Sequence, residues 1–188
     1  LGTICGVCHL LPFDIAETNI SYYALCALMF SVGLSVGNDP QTLKNFRSLN
    51  PRLVFLPIMT ILGTLAGSAA VSLILTHRSI TDCLAVGSGF GYYSLSSIFI
   101  TEYKGAELGT IALLANISRE ILTLLAAPLL VRWFGNLAPI SAGGATTMDT
   151  TLPIITRTAG QQFVVVSIFH GFVVDFSVPF LVTLFCSI

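Results

Sequence analysis

The sequence predicts an all-α integral membrane protein, and three observations carry that expectation. Of its 188 residues 54% are hydrophobic and only 9% charged, whereas a soluble domain averages roughly 25% charged positions. Uncharged runs recur along the chain at about the 20 residues that a helix needs to cross a ~30 Å hydrocarbon core. Two of these runs are interrupted by Gly, Ser and Thr, and in a bilayer such backbone needs partners from protein or trapped water. The expected architecture is one membrane domain over residues 1–188, with about six transmembrane segments, two of them discontinuous. Residues 1–19 read as an N-terminal remnant and polar connection.

Charge excludes one class of partner. Eight Lys+Arg against nine Asp+Glu give a formal net charge of −1, and no basic patch points to nucleic acid. Five cysteines, scattered and mostly in apolar surroundings, do not suggest a disulfide framework. Cys5-Gly-Val-Cys8-His9 matches the C-x-x-C-H pattern of c-type haem attachment. The competing account is small cysteines packed near a membrane boundary, and no cofactor is expected. Residues 1–11 could be the tail of a signal peptide or of a first span.

The segments follow in order. Residues 20–36 carry no charge and hold Tyr22 and Tyr23, suited to an interfacial belt. Lys44, Arg47 and Arg52 make the next loop positive, which places it on the cytoplasmic side. Residues 53–76 form the clearest span, and Gly63, Gly67 and Ser68 offer a face for close helix approach. His77, Arg78 and Asp82 then read as an outer connection. Residues 83–101 are uncharged, but three glycines and four serines fall within residues 87–97; each interior glycine costs a helix about 1 kcal/mol relative to Ala, so a break is expected. Glu102, Lys104 and Glu107 read as an inner loop. Residues 108–131 are helical by length, with Pro128 as a kink. Residues 137–156 are interrupted at Gly143 and Gly144, and residues 163–188 span with His170, Asp175 and Pro179 inside. Strict alternation makes six segments with both ends outside.

The polar groups inside these segments are the candidate site. Asp149 is foremost, because an intramembrane carboxylate is costly and is read first as functional. It could bind a cationic group or a coupling proton, or it could cap a half-helix from Thr150 onward with Pro153 in the first turn. Gly143, Gly144, Thr146 and Thr147 would offer N–H groups and hydroxyls to an anion at the break, or simply pack closely. Ser88, Tyr92, Ser94 and Ser97 line the other break as hydrogen-bonding groups, or that stretch is a small-residue packing face. Asn116, Arg119 and Glu120 sit mid-segment; they could bind substrate, or an Arg–Glu pair could hold or gate the bundle. His170 and Asp175 lie five apart, about 140° around a helix, so a tight relay between them is not expected, while Asp175 can still face a cavity. An intramembrane serine hydrolase using Ser88 or Ser94 with His170 lacks a G-x-S-x-G elbow. No zinc-ligand spacing occurs in the spans. Paired interrupted segments are the sequence pointer to the binding site of a secondary transporter with repeat architecture.

These motifs, taken together, are similar to those of the LysO-type lysine exporters. The likeness rests on Gly87-Ser-Gly-Phe-Gly-Tyr-Tyr-Ser-Leu-Ser96, on Asn116 with Arg119-Glu120, on Gly144-Ala-Thr-Thr-Met-Asp-Thr-Thr-Leu-Pro153, and on His170-Gly-Phe172. It implies a multi-pass protein of the bacterial inner membrane that exports L-lysine and toxic lysine analogues, coupled to the proton gradient, with Asp149 matching the family's intramembrane aspartate. Single-chain members carry an additional N-terminal membrane portion, and in some bacteria the family is split into a short protein and a longer partner. The resemblance therefore implies a small companion membrane protein or a second copy. The residues alone leave open another small amino acid or cation as cargo, and a non-transporting membrane subunit.

Overall fold

The structure, a computed structural model, describes residues 51–75 and 77–188, all within the compact unit Lys44–Ile188. The expected span at residues 20–36, the Lys44/Arg47 part of the positive loop and the Cys5–His9 motif lie outside the described residues. Within them every regular element is helical: α1 (Pro51–Val54), α2 (Leu56–Ile74), α3 (Ile80–Gly87), α4 (Tyr93–Lys104), α5 (Ala106–Phe134), α6 (Ala138–Gly143), a 3-10 turn (Gly144–Met148), α7 (Leu152–Ala159), a second 3-10 turn (Gln161–Phe163) and α8 (Val164–Ser187). The 53–76 run is divided at Phe55, and α2 begins afresh with Pro57 in its first turn, where a missing N–H costs nothing. Helix α5 runs unbroken through Pro128, and α8 through Pro179.

Three of the described helices are long and apolar enough to cross a membrane: α2, α5, and α8 with its preceding turn. The third is the most enclosed, with 39% of its apolar stretch buried against 11% and 17% for the others. Its buried residues recur every four positions, at Val166, His170, Val174, Val178, Val182 and Cys186, with Ser167, Gly171 and Asp175 on the adjoining row. The buried stripe is therefore wide enough to take in both His170 and Asp175, which the 140° estimate had set on different faces. Alongside α8 pack α3, α4, the Gly144 turn and α2.

The remaining helices are too short to cross. At 1.5 Å per residue, α3 and α4 reach about 12 and 18 Å, and α6 and α7 about 9 and 12 Å, against the ~30 Å of a hydrocarbon core. Each pair doubles back instead. Arg78, before α3, is ion-paired with Glu107, at the start of α5, and Lys104 at the end of α4 lies 3.8 Å from Asp82 in the first turn of α3. The connections read from the sequence as outer and inner thus meet at one end of the bundle, and α3–α4 is a helical hairpin. The charges of Lys104 and Asp82 also reach Cys186, which puts the C-terminal end of α8 there too. At the opposite end Ile140 of α6, Ile155 and Ala159 of α7 and Val166 of α8 form one apolar cluster with Leu53, Leu56, Val131, Leu137 and Phe163. That cluster gathers both ends of α6–α7, so the second interrupted segment is a hairpin entering from the other end.

Among the described residues nothing lies within 4 Å of a Cβ placed on Gly63 or Gly67, while Ser68 of α2 is set against Gly87 of α3.

Candidate functional site

The tips of the two hairpins meet. Phe90 and Gly91 at the first tip have positive φ of 46° and 94°, the left-handed region that is cheap for glycine and costs a bulky residue about 1–3 kcal/mol. Three contacts hold Phe90 there. Its carbonyl accepts a 3.0 Å bond from Ala145 N at the second tip, its ring is fully buried, and the Arg119 guanidinium lies 5.9 Å from the ring centre. Gly144, at φ 63°, is where the backbones touch, because a Cβ there would overlap the Phe90 carbonyl. Gly91 in turn faces the Gly143 carbonyl.

Helix α5 supplies the fasteners from its middle. Asn116 donates Nδ2–H to Val86 O at 3.1 Å and to Ala112 O at 2.9 Å, and its Oδ1 accepts from Gly91 N at 2.8 Å. One amide side chain so closes the open carbonyl end of α3 and fixes the tip beyond it. Arg119, fourteenth of the 29 residues of α5, donates Nε–H to Ala142 O at 2.8 Å, Nη2–H to Ser141 O at 3.0 Å and Nη1–H to Thr64 Oγ1 at 3.3 Å. A cation against the last carbonyls of α6 is also where the helix dipole favours it. The Arg119–Glu120 ion pair weighed from the sequence is not formed among the described residues; Arg119 holds a helix end instead, and Glu120 is half-buried on the next position.

The second tip is bonded inwardly. Gly143, Gly144, Thr146 and Thr147 are all buried. Thr146 Oγ1 donates to Gly143 O at 2.9 Å, and Thr147 Oγ1 lies 2.8 Å from Gly144 O and 2.9 Å from Ser167 O. Thr151 precedes α7 and donates to Thr146 O at 3.0 Å rather than capping the helix. Asp149 does not cap α7 either: its Oδ1 accepts from Thr150 N at 2.5 Å, and its residue is exposed. The capping account of Asp149 is thereby corrected, and the carboxylate is left facing open space.

A second carboxylate is near. Asp175 is 5% exposed and is the twelfth of the 24 residues of α8, about 17 Å from either end at 1.5 Å per residue. The charge of Asp149 is felt at Asp175, and both carboxylates are felt at the Tyr92 phenol of the first tip. Tyr92 is partly buried at the first tip, Asp149 is exposed beyond the second, and Asp175 is buried at the middle of α8.

Three other candidates lie elsewhere. Ser88 is buried with its hydroxyl on Leu84 O at 2.7 Å, and Ser94 is exposed on the first turn of α4. His170 is bonded to Thr60 and Thr147, so neither serine has it as a base, and it makes no relay with Asp175. Sequence reasoning missed Phe90, Thr60 and Thr64. The glycines flanking Phe90 signalled its backbone, whereas two threonines in a plain apolar span carried no signal.

The family model described as Lysine exporter LysO matches residues 1–186. A protein of Escherichia coli (strain K12) named "Lysine exporter LysO" is 37% identical over 170 residues, which are 90% of this chain and 56% of that protein. A Haemophilus influenzae protein named "Putative lysine exporter" is 36% identical over 165 residues, 88% of this chain and 83% of that one. The chain thus spans little more than half the length of the Escherichia coli relative. No solved structure matches. With helices apolar enough to span a membrane and these matches over nearly its whole length, the chain belongs to the LysO lysine exporter family, a family of transporters and not of enzymes.

Proposed function

We propose that this chain moves L-lysine and cationic lysine analogues outward across the bacterial inner membrane, as a multi-pass secondary transporter coupled to the proton gradient. The reading is supported by two carboxylates, Asp149 exposed beyond the second tip and Asp175 buried at the middle of α8, whose charges are both felt at Tyr92 of the first tip. In this reading α2, α5 and α8 cross the bilayer while α3–α4 and α6–α7 are re-entrant hairpins, irregular backbone being tolerated at that depth because it lines a polar cavity. A lysine ammonium binds the two carboxylates through charge-assisted hydrogen bonds. Its α-carboxylate lies toward the N-terminal turn of α4, where Tyr92 and Ser94 sit and the helix end favours an anion. Asn116, Arg119, His170, Gly143, Gly144, Thr146 and Thr147 are framework in this scheme, holding the tips rather than the cargo, and Glu120 has no part in it. A proton and a lysine cation compete for the carboxylates, which couples their movements in opposite directions. The relatives' names support lysine as the cargo, and a companion membrane protein or a second copy completes the cavity.

Lysine efflux from proteoliposomes tests this. Asp149→Asn keeps the oxygen that accepts from Thr150 N, so the turn is retained and only the charge is lost. Efflux is expected to fall at least about a hundredfold, the equivalent of ~3 kcal/mol for one charge-assisted contact. Normal export by Asp149→Asn would sink the mechanism, and competition by an unrelated cation in preference to lysine would sink the cargo assignment.

A further inference from the structure

A cavity of about 730 Å³ lies between α2, α3 and α5, and neither Tyr92, Asp149 nor Asp175 lines it. Its walls are apolar: Val71 and Leu75 of α2, Val86 of α3, and Leu108 and Ile111 of α5. Arg78 and Asp82 stand at one end, the charged end of the bundle, and Thr64, Ser68 and Arg119 at the other. From Leu75 to Thr64 along α2, and from Leu108 to Arg119 along α5, the distance is ~17 Å at 1.5 Å per residue. An aliphatic slot thus leads from the bundle end to a polar floor at the middle of α5.

That floor has hydrogens to donate and nothing to receive them. Arg119 carries five N–H groups and uses three, on Ala142 O, Ser141 O and Thr64 Oγ1. One N–H on Nη1 and one on Nη2 are left over. Thr64 Oγ1 accepts from Arg119 and keeps its own hydrogen, and Ser68 Oγ makes no hydrogen bond among the described residues. The ion pairs among these residues are Arg78–Glu107 and Lys104–Asp82, so no carboxylate neutralises Arg119. A cation at that depth calls for an anion. A space of roughly 300–1,000 Å³ with apolar walls and a few convergent polar groups is the usual form of a small-molecule site.

We propose that this cavity binds an amphipathic monocarboxylate, with its carboxylate on Arg119, Thr64 and Ser68 and its apolar body between Val71, Val86 and Ile111. A bare halide would leave the walls unfilled, and a lipid chain would leave the donors unanswered. Free lysine fits poorly, because its ammonium would lie against aliphatic side chains on the same path as the Arg119 charge.

Equilibrium dialysis of radiolabelled phenylbutyrate against the full chain in lipid nanodiscs, with empty nanodiscs as background, tests the site. Saturable binding is expected, at least about tenfold tighter than that of phenylbutanol, which has the same body without the charge. Ser68→Ala removes a hydroxyl that holds nothing else and should weaken binding about tenfold, the equivalent of one hydrogen bond to a charged group. A Cβ on Gly67, which lines the cavity, meets nothing within 4 Å. Gly67→Leu therefore enters open space, favours the helix and should abolish saturable binding while keeping the parent's thermal midpoint. The comparison of acid with alcohol needs no variant and decides by itself should one fail to fold. Absence of saturable binding, equal binding of phenylbutanol (a groove for lipid chains only), unchanged binding by Gly67→Leu, or displacement by lysine overturns the proposal. None of these readouts involves efflux, so export that survives Asp149→Asn defeats the transport scheme and leaves this site standing.

Discussion

Arg119 shows how a charge can sit at the middle of an apolar helix with its guanidinium engaged by neighbouring helices. Its Nε, Nη1 and Nη2 reach three separate acceptors on two other helices, Ala142 O, Thr64 Oγ1 and Ser141 O. Leaving any of them unmade in a buried setting costs about 1–3 kcal/mol. A lysine has the charge but not the fork, so Arg119→Lys cannot reproduce the directions of all three bonds. Its expected effect is a loss of stability on the order of 2 kcal/mol, measured as a lower thermal midpoint of the purified protein, and it should exceed the effect of Glu120→Gln. Equal midpoints for Arg119→Lys and the parent would mean that the charge alone is what matters. The sequence marked Asn116 and Arg119 as interior groups because polar side chains at that depth are costly. It could not show their partners, since the carbonyls of Val86, Ser141 and Ala142 lie 22 to 30 positions away and only the hairpins bring them near.

The two hairpins were half legible. Clustered glycines at residues 87–97 and at Gly143-Gly144 gave away the interruptions, because helix interiors rarely afford them. What followed each interruption was not visible: an uncharged run of 19 or 20 residues has the same composition whether it continues across or turns back. The ion pairs Arg78–Glu107 and Lys104–Asp82 resolve it for α3–α4, and the apolar cluster around Ile140 and Ile155 resolves it for α6–α7. The consequence can be read by labelling from one side. With native cysteines removed, His77→Cys and Tyr103→Cys should both react with a membrane-impermeant maleimide added to the same face of sealed vesicles. Six alternating spans require them to react from opposite faces. Tyr103 is 51% exposed, which suits it to this measurement.

Charge balance over the whole molecule constrains how export is driven. Asp175 lies at the middle of α8, within electrostatic reach of Asp149, and Arg119 is engaged with helix carbonyls. Under the proposed scheme the same two carboxylates take up either a lysine, net charge +1 at neutral pH, or a proton. Each is one positive charge at the same place, so the loaded and the returning forms of the carrier have equal net charge. Moving an unbalanced charge across the membrane involves about 2.3 kcal/mol per 100 mV, and an exchange of one lysine for one proton removes that term from the cycle. Under the proposed coupling, lysine efflux from proteoliposomes should respond to a pH gradient and be unaffected when valinomycin and potassium set the membrane potential at values 100 mV apart. A rate that follows the potential at fixed pH would show that charge moves with the cargo and would overturn the one-for-one exchange.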